Sequence, residues 1–317
     1  MPPTVIIAPV YEDMDSVSEL ARRLARNPPR DCFVVCIDDG SVGQPTAISA
    51  LEEAGIQGAV LYLRRNVGHQ RAIATGLAWV AEHLPSVERL VIMDSDGEDR
   101  PECIPDLLDM LDGGSVDVVV AERGKRAESA GFRFFYLVYR TLFRALAGRK
   151  IRFGNFMAMN NLALHRLASM GETGLHVAGS VLVSRLRWQG RAIDRGKRYA
   201  GQSKMGFVSL VLHGFKAFMV FAEDVLVRVG VACLLVAGTS VVGMGAAVIL
   251  KSLGIATPGW FSVALGVLVL MFMQTGAIAL MTLMMAGIMR GQTVLPIDHR
   301  RLIARIVRTN QTASDEP

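Results

Sequence analysis

The run Asp94-Ser95-Asp96-Gly97-Glu98 follows the apolar stretch Leu90-Val91-Ile92-Met93. Two carboxylates two positions apart at the end of a strand can grip one hard divalent cation through oxygen, and Glu98 offers a third oxygen ligand. Such a cation can bridge a diphosphate and neutralise charge on a departing nucleotide. Alone, an Asp-x-Asp is more often a solvated turn. Here three further polar clusters also close apolar runs: Tyr11-Glu12-Asp13, Asp38-Asp39-Gly40-Ser41 and Arg64-Arg65-Asn66. Asp, Gly and Ser are ordinary turn residues, but four such clusters at corresponding places point to a ligand crevice.

The elements that must position these clusters read as alternating strands and helices. Short β-branched or apolar runs at 4–10, 32–37 (CFVVCI), 58–63, 89–93 and 117–122 (DVVVAE) are predicted strands. Between them lie predicted helices over 15–26, 45–54, 68–83 and 102–112. The first places Val17, Leu20, Ala21 and Leu24 on one face. This alternation predicts an α/β fold with a doubly wound, mainly parallel sheet, whose ligands bind beyond the carboxyl ends of its strands.

Beyond residue 125 the pattern changes. Residues 131–147 read as an aromatic-rich amphipathic helix with Arg133, Arg140 and Arg144 on one face. Residues 204–224 form a juxtamembrane amphipathic segment, with Phe207, Val208, Val211, Phe215 and Phe218 opposite Ser209, His213 and Lys216. Helices of this kind lie in a membrane interface or pack on a sheet. Two uncharged stretches follow, Val229–Leu250 and Ser252–Met289. About 20 apolar helical residues cross a hydrocarbon core, so 225–290 reads as a transmembrane hairpin with spans near 226–250 and 259–289. Gly238, Gly243, Gly245, Gly266, Gly276 and Gly287 would allow close helix approach, within the hairpin or in a homo-oligomer.

The chain of 317 residues carries a net charge of +5. Arg290, Arg300, Arg301, Arg305 and Arg308 follow the second span, and the segment 291–317 reads as a basic tail. Positive flanks stay cytoplasmic and suit anionic headgroups. This predicts a multi-pass protein of the cytoplasmic membrane with the catalytic domain and both termini inside. The excess charge is explained without nucleic acid. Cys32, Cys36, Cys103 and Cys233 lack metal-type spacing and suit a reducing compartment. No charged leader precedes a long apolar run at the N-terminus, so the first domain is not expected to be exported.

The ordered stretches APVYEDMD, IDDGS, RRNVGHQRAIATGL, MDSDGEDRPE, GNF and RYAGQSKMGF resemble glycosyltransferase family 2, specifically its membrane-anchored polyprenyl-phosphate glycosyltransferases, including the dolichol-phosphate and undecaprenyl-phosphate types. The resemblance implies a GT-A domain over 1–203 that uses a UDP- or GDP-sugar, Mg2+ or Mn2+, and a polyprenyl phosphate acceptor in the bilayer. It implies that Pro9, Tyr11, Asp13, Asp38, Asp39 and Arg71 serve the nucleotide sugar. Asp94, Asp96 and Glu98 would hold the metal. Arg123, Arg133, Arg198 and Lys204 would face the acceptor phosphate or the diphosphate. At Gly154-Asn155-Phe156-Met157 relatives often carry Gly-Asp-Phe-Arg, so the acid proposed as a base is the amide Asn155 here. A phosphate monoester has a second pKa near about 6 and needs no deprotonation at neutral pH; Asn155 can then position the acceptor. Two other readings stay open: another lipid or glycan acceptor, and a non-catalytic nucleotide-binding membrane protein.

Overall fold

The computed structural model describes residues 4–26, 29, 31–123, 140–149, 153–199, 207–255, 257–291 and 296–309. They fall into two units, one of residues 1–128, 151–220 and 294–317, the other of 129–150 and 221–293.

The first unit is built on a sheet of eight strands among the described residues, in the order β7-β5-β6-β4-β1-β2-β3-β8. The strands are β1 (Thr4–Val10), β2 (Cys32–Asp38), β3 (Gly58–Leu63), β4 (Arg89–Ile92), β5 (Val118–Arg123), β6 (Phe153–Asn160), β7 (Trp188–Ile193) and β8 (Ile303–Arg308). Its helices are α1 (Met14–Arg26), α2 (Ser49–Glu53), α3 (His69–His83), α4 (Ile104–Asp112), α5 (Asn161–Ala168), α6 (Val177–Val183), α7 (Phe207–Val220) and α10 (His299–Leu302). The five strands and four helices expected before residue 125 all form. The second helix is shorter than expected, and Pro101–Cys103 precede α4 as a 3-10 turn.

Alternation along β1 explains its burial on both faces. Ile6, Ala8 and Val10 pack against α1 and α4 residues such as Leu20 and Leu107. Val5 and Ile7 join Ile73 and Leu77 of α3 on the other side. A strand covered on both faces reads as a continuous apolar run, as TVIIAPV does.

The sheet is mixed. β1–β2, β1–β4, β2–β3 and β5–β7 pair parallel, whereas β4–β6, β5–β6 and β3–β8 are antiparallel. β8 differs most from expectation. The segment after the long helices, read as a basic tail, adds a strand beside β3. Its arginines are engaged there: Arg305 stacks 4.1 Å over the Tyr62 ring, Arg308 lies 5.7 Å from the Trp79 ring, and Arg300 pairs with Glu82. Guanidinium planes favour such aromatic faces.

The second unit contains α8 (Ala222–Ser252) and α9 (Trp260–Gly291), of 31 and 32 residues. Each contains an 18-residue window of mean hydropathy 2.2, with 17% and 6% of the two windows buried. A core helix of a water-soluble domain would be mostly covered; these apolar helices are mostly bare, which suits association with a membrane. They pack through small residues: Gly230, Ala237, Ser240, Ala247, Ala279 and Ala286 are buried. Of the six glycines expected to permit close approach, Gly243 does so, against Leu268. The other five face open space, so alanines and Gly230 carry most of the contact. Residues 140–147 are helical, with Arg140 and Arg144 exposed and Phe143 edge-on to Phe221 at 5.6 Å. The rest of the helix expected over 131–147 lies outside the described residues.

Candidate active site

Register places the polar clusters together. Val10 pairs with Asp38 across β1–β2, and Ile7 with Ile92 across β1–β4, so three chain segments leave the sheet side by side. Ser95 Oγ donates to the Pro9 carbonyl at 3.2 Å, joining the β4 and β1 ends directly.

Asp94, the first acid of the motif, has Oδ1 3.1 Å from His69 Nε2. Its N–H donates to Asp99 Oδ2 at 2.8 Å. His69 opens α3, and sequence reasoning assigned it no role. Asn155, from β6, lies with Nδ2 3.0 Å from the same His69 nitrogen, while its Oδ1 accepts from Gln70 Nε2 at 3.1 Å. Gln70 Oε1 in turn accepts from the buried Val177 N–H at 2.7 Å. This chain has one direction. A backbone N–H only donates, so Gln70 must turn its amide nitrogen to Asn155, and Asn155 turns its own toward His69. Asp94 demands a donor from the ring nitrogen, and Asn155 an acceptor. Burial disfavours the charged ring, but the charge of Asp94 and its hydrogen bond outweigh it, and the His69 pKa is raised.

Asp96 and Glu98 sit under a second segment, residues 194–199. Arg198 reaches Asp96 Oδ2 at 2.8 Å and Glu98 Oε1 at 3.1 Å, and Arg195 reaches Glu98 Oε2 at 2.7 Å. Backbone bonds from Tyr199 N–H to the Asp96 carbonyl and from Gly196 N–H to the Glu98 carbonyl, both 2.9 Å, fasten the segments. Such closeness requires glycine at 97. Its φ is +92°, and a Cβ there would stand 2.6 Å from the Tyr199 ring. Glu98, expected as a third metal ligand, thus has both oxygens engaged by arginines. Burial pushes the Asp96 carboxyl up; the Glu98 N–H and Arg198 oppose this, while the charges of Asp94 and Glu98 add to it.

Asp38 and Asp39, expected against the base and ribose, are buried and spend their oxygens on backbone. Asp38 accepts from Ser41 and Thr46 N–H at 2.7 and 2.6 Å. Asp39 accepts from Val67 and Gly68 N–H at 2.7 and 2.9 Å, shaping the turn into α3. Burial pushes the Asp39 carboxyl up and those two bonds pull it back. Both acids build the crevice walls. Glu12 does likewise, accepting from Val42, Gly43 and Gln44 N–H at 2.6, 3.0 and 2.5 Å. Pro9 is buried within β1, Tyr11 is exposed, and Asp13 is half-buried before α1. Arg71 is exposed on the first turn of α3, its stem beside Gly174. Arg123 ends β5, paired with Ile193; its side chain, Arg133 and Lys204 lie outside the described residues.

An acidic pair thus stands at the end of β4, beside the β1 and β2 ends and flanked by arginines. Residues 5–169 match the model of glycosyl transferase family 2, just over half of the chain. The chain belongs to glycosyltransferase family 2. Among its relatives, undecaprenyl-phosphate 4-deoxy-4-formamido-L-arabinose transferase of Enterobacter sp. (strain 638) is 32% identical over 129 residues. That match covers 39% of this chain and 38% of the relative, well short of the relative's whole length. An uncharacterized glycosyltransferase of Bacillus subtilis (strain 168), YkoT, is 24% identical over 280 residues, covering 84% of this chain and 81% of its own. The fold also resembles glucosyl-3-phosphoglycerate synthase from Mycobacterium tuberculosis, solved with Mn2+, UDP-glucose and phosphoglyceric acid. The TM-score is 0.52 at 15% identity, over 70% of this chain and 79% of that one. The family 2 sheet accordingly has the GT-A-like mixed α/β architecture.

Proposed function

We propose that this family 2 transferase moves a sugar from a UDP- or GDP-sugar to a membrane polyprenyl phosphate, with inversion. The reading is carried by one conjunction: a family 2 domain with an acidic pair at the end of β4, in a chain that also holds two long, bare apolar helices. The similarity to undecaprenyl-phosphate transferases supports the acceptor class.

The residues fit a divalent cation: burial, with the charges of Asp94 and Glu98 adding to it, raises the Asp96 carboxyl, and a cation between the carboxylates would offset both. Mg2+ or Mn2+, bound by Asp94 and Asp96, would supply charge neutralisation for the leaving diphosphate. Glu98 holds Arg195 and Arg198 in place beside the acids. Arg198, held through Nε and Nη2 by Glu98 and Asp96, keeps its positive charge beside the acids, where it would favour phosphate oxygens. Asn155, oriented through Gln70, offers an N–H donor that can hold the acceptor phosphate without removing a proton.

In the transfer an acceptor phosphate oxygen forms a bond to the anomeric carbon. The bond from that carbon to the diphosphate breaks, and its electron pair leaves with the nucleoside diphosphate. The two long helices would span the membrane with the catalytic unit on the cytoplasmic side, keeping the acceptor headgroup within reach and gaining from proximity. The test uses detergent-purified full chain with Mg2+ or Mn2+, undecaprenyl phosphate and a panel of radiolabelled UDP- and GDP-sugars. Label entering the organic phase, dependent on the phosphate of the lipid, is the expected result. Equal transfer to a phosphate-free lipid, or nucleotide binding with no turnover for any donor, would overturn the proposal.

A further inference from the structure

At the far end of α3 a second group of ligating side chains has no part in the site above. Helix α3 has 15 residues, so His83 lies about 21 Å along the axis from His69. Glu82 and His83 close the helix, and His299 opens α10, in the segment that returns after the long helices. One ligand atom from each can be chosen so that all three lie within 4.8 Å of one another.

Each member has a ligand atom whose chemistry suits a cation. His83 Nδ1 lies 3.0 Å from the Trp79 carbonyl oxygen, which only accepts. The proton is therefore on Nδ1, and Nε2 holds a lone pair. This is the arrangement found in metal-binding histidines, whose other nitrogen donates to a carbonyl or carboxylate. The ring is stacked on Trp79 at 5.1 Å and meets His299 edge-on at 5.6 Å, so its plane is set. The His299 side chain is 8% exposed, and its Nε2 stands 3.3 Å from Glu82 Oε2. That contact is not aligned as a hydrogen bond, and the buried Nε2 makes none among the described residues. A separation of 3.3 Å also matches the edge of a tetrahedron with bonds of about 2.1 Å, roughly 3.4 Å. Glu82 Oε1 is held by Arg300, which leaves Oε2 for the centre.

We propose that Glu82, His83 and His299 form a second metal site, selective for a borderline transition cation such as Zn2+, with water in the fourth position. Two imidazoles and one carboxylate suit Zn2+ better than Mg2+. Glu82 and His83 are exposed, so the ion has access from solvent. The site would clip α10, and with it β8, onto α3. Its role is structural, and Arg300 beside Glu82 moderates affinity without occupying the ligand oxygen.

The test uses untagged full chain in detergent, stripped with a chelator and titrated with Zn2+ against a chromophoric competitor, and separately with Co2+. Wild type is expected to bind one Zn2+ equivalent that Asp96→Ala retains, and to show the visible Co2+ bands of a four-coordinate site. His83→Ala should weaken this binding by at least about 100-fold while sugar transfer without added Zn2+ stays unchanged. Zn2+ at about 100 times its Kd should raise the apparent Tm of wild type by roughly 5–10 °C, and not that of His83→Ala. Because His299→Ala also removes a buried ring, His83→Ala is the deciding variant. Equal Zn2+ affinity in wild type and His83→Ala, or loss of the equivalent in Asp96→Ala, would overturn the assignment.

Discussion

Gln70→Met is the sharpest probe of how Asn155, the amide proposed to position the acceptor, is held. The substitution nearly conserves volume, so cavity and strain terms stay small. It removes the acceptor of the buried Val177 N–H and the donor to Asn155 Oδ1. Stranding a buried N–H costs about 1–3 kcal/mol, and losing the second bond adds about 1 kcal/mol. A central value of about 3 kcal/mol lowers the apparent Tm of a domain this size by roughly 6–12 °C. Asn155 then loses its fixed orientation, and about 1 kcal/mol of lost positioning corresponds to a roughly fivefold fall in kcat. Thermal unfolding of full chain in detergent and radiolabelled transfer to undecaprenyl phosphate measure the two effects. A double-mutant cycle isolates the route: in an Asn155→Ala background, Gln70→Met should cost stability but little further kcat. Additive losses of kcat, or wild-type kcat in Gln70→Met alone, would refute the relay.

On the proposed function, Asp96→Ala should leave expression and membrane insertion unchanged and lower transfer by at least about 100-fold, since it would remove a carboxylate proposed to hold the metal against the diphosphate; the same transfer assay reads it. Gly97→Ala places a Cβ 2.6 Å from Tyr199 at φ +92°. It should destabilise by about 2 kcal/mol or more and loosen the 194–199 segment, seen as faster proteolysis there. Asp117 accepts from Asn160 and from Arg187, whose guanidinium holds its carboxyl down at about 2. A folded pKa below the unfolded value of about 3.9 adds stability that is fully present above pH ~4 and disappears as pH falls through about 2. The Tm gap between wild type and Asp117→Asn should therefore be full at pH 7 and shrink from pH 4 downward; a gap constant with pH would contradict this assignment.

Local patterns carried the first 125 residues. Each strand from β1 to β5 is a short apolar run ended by a polar cluster, and each helix shows its apolar face within one window, so near neighbours determine them. The acidic pair was legible for the same reason, as was the pair of long apolar helices. Strands β6, β7 and β8 were not. β6 is polar at Asn155 and interrupted by Gly154, β7 is mostly exposed, and β8 carries arginines three residues apart, which breaks a strand's period of two. Each becomes a strand only because a distant edge offers hydrogen bonds, β8 to β3 most clearly.

The same division runs through the site. Sequence by itself placed Asp94 and Asp96 just past the end of one strand, since they leave it at one spacing. It did not distinguish wall from ligand. Asp38, Asp39 and Glu12 look as available as Asp94, yet their oxygens hold loop N–H groups whose direction depends on the folded turns. Nor did it join His69 and Gln70 of α3 to Asn155 of β6, or Arg195 and Arg198 to Glu98. Those partnerships form across distant parts of the chain. Composition and periodicity report only what neighbours along the chain share, while a carboxylate's role is decided by the donors that tertiary packing brings within 3 Å.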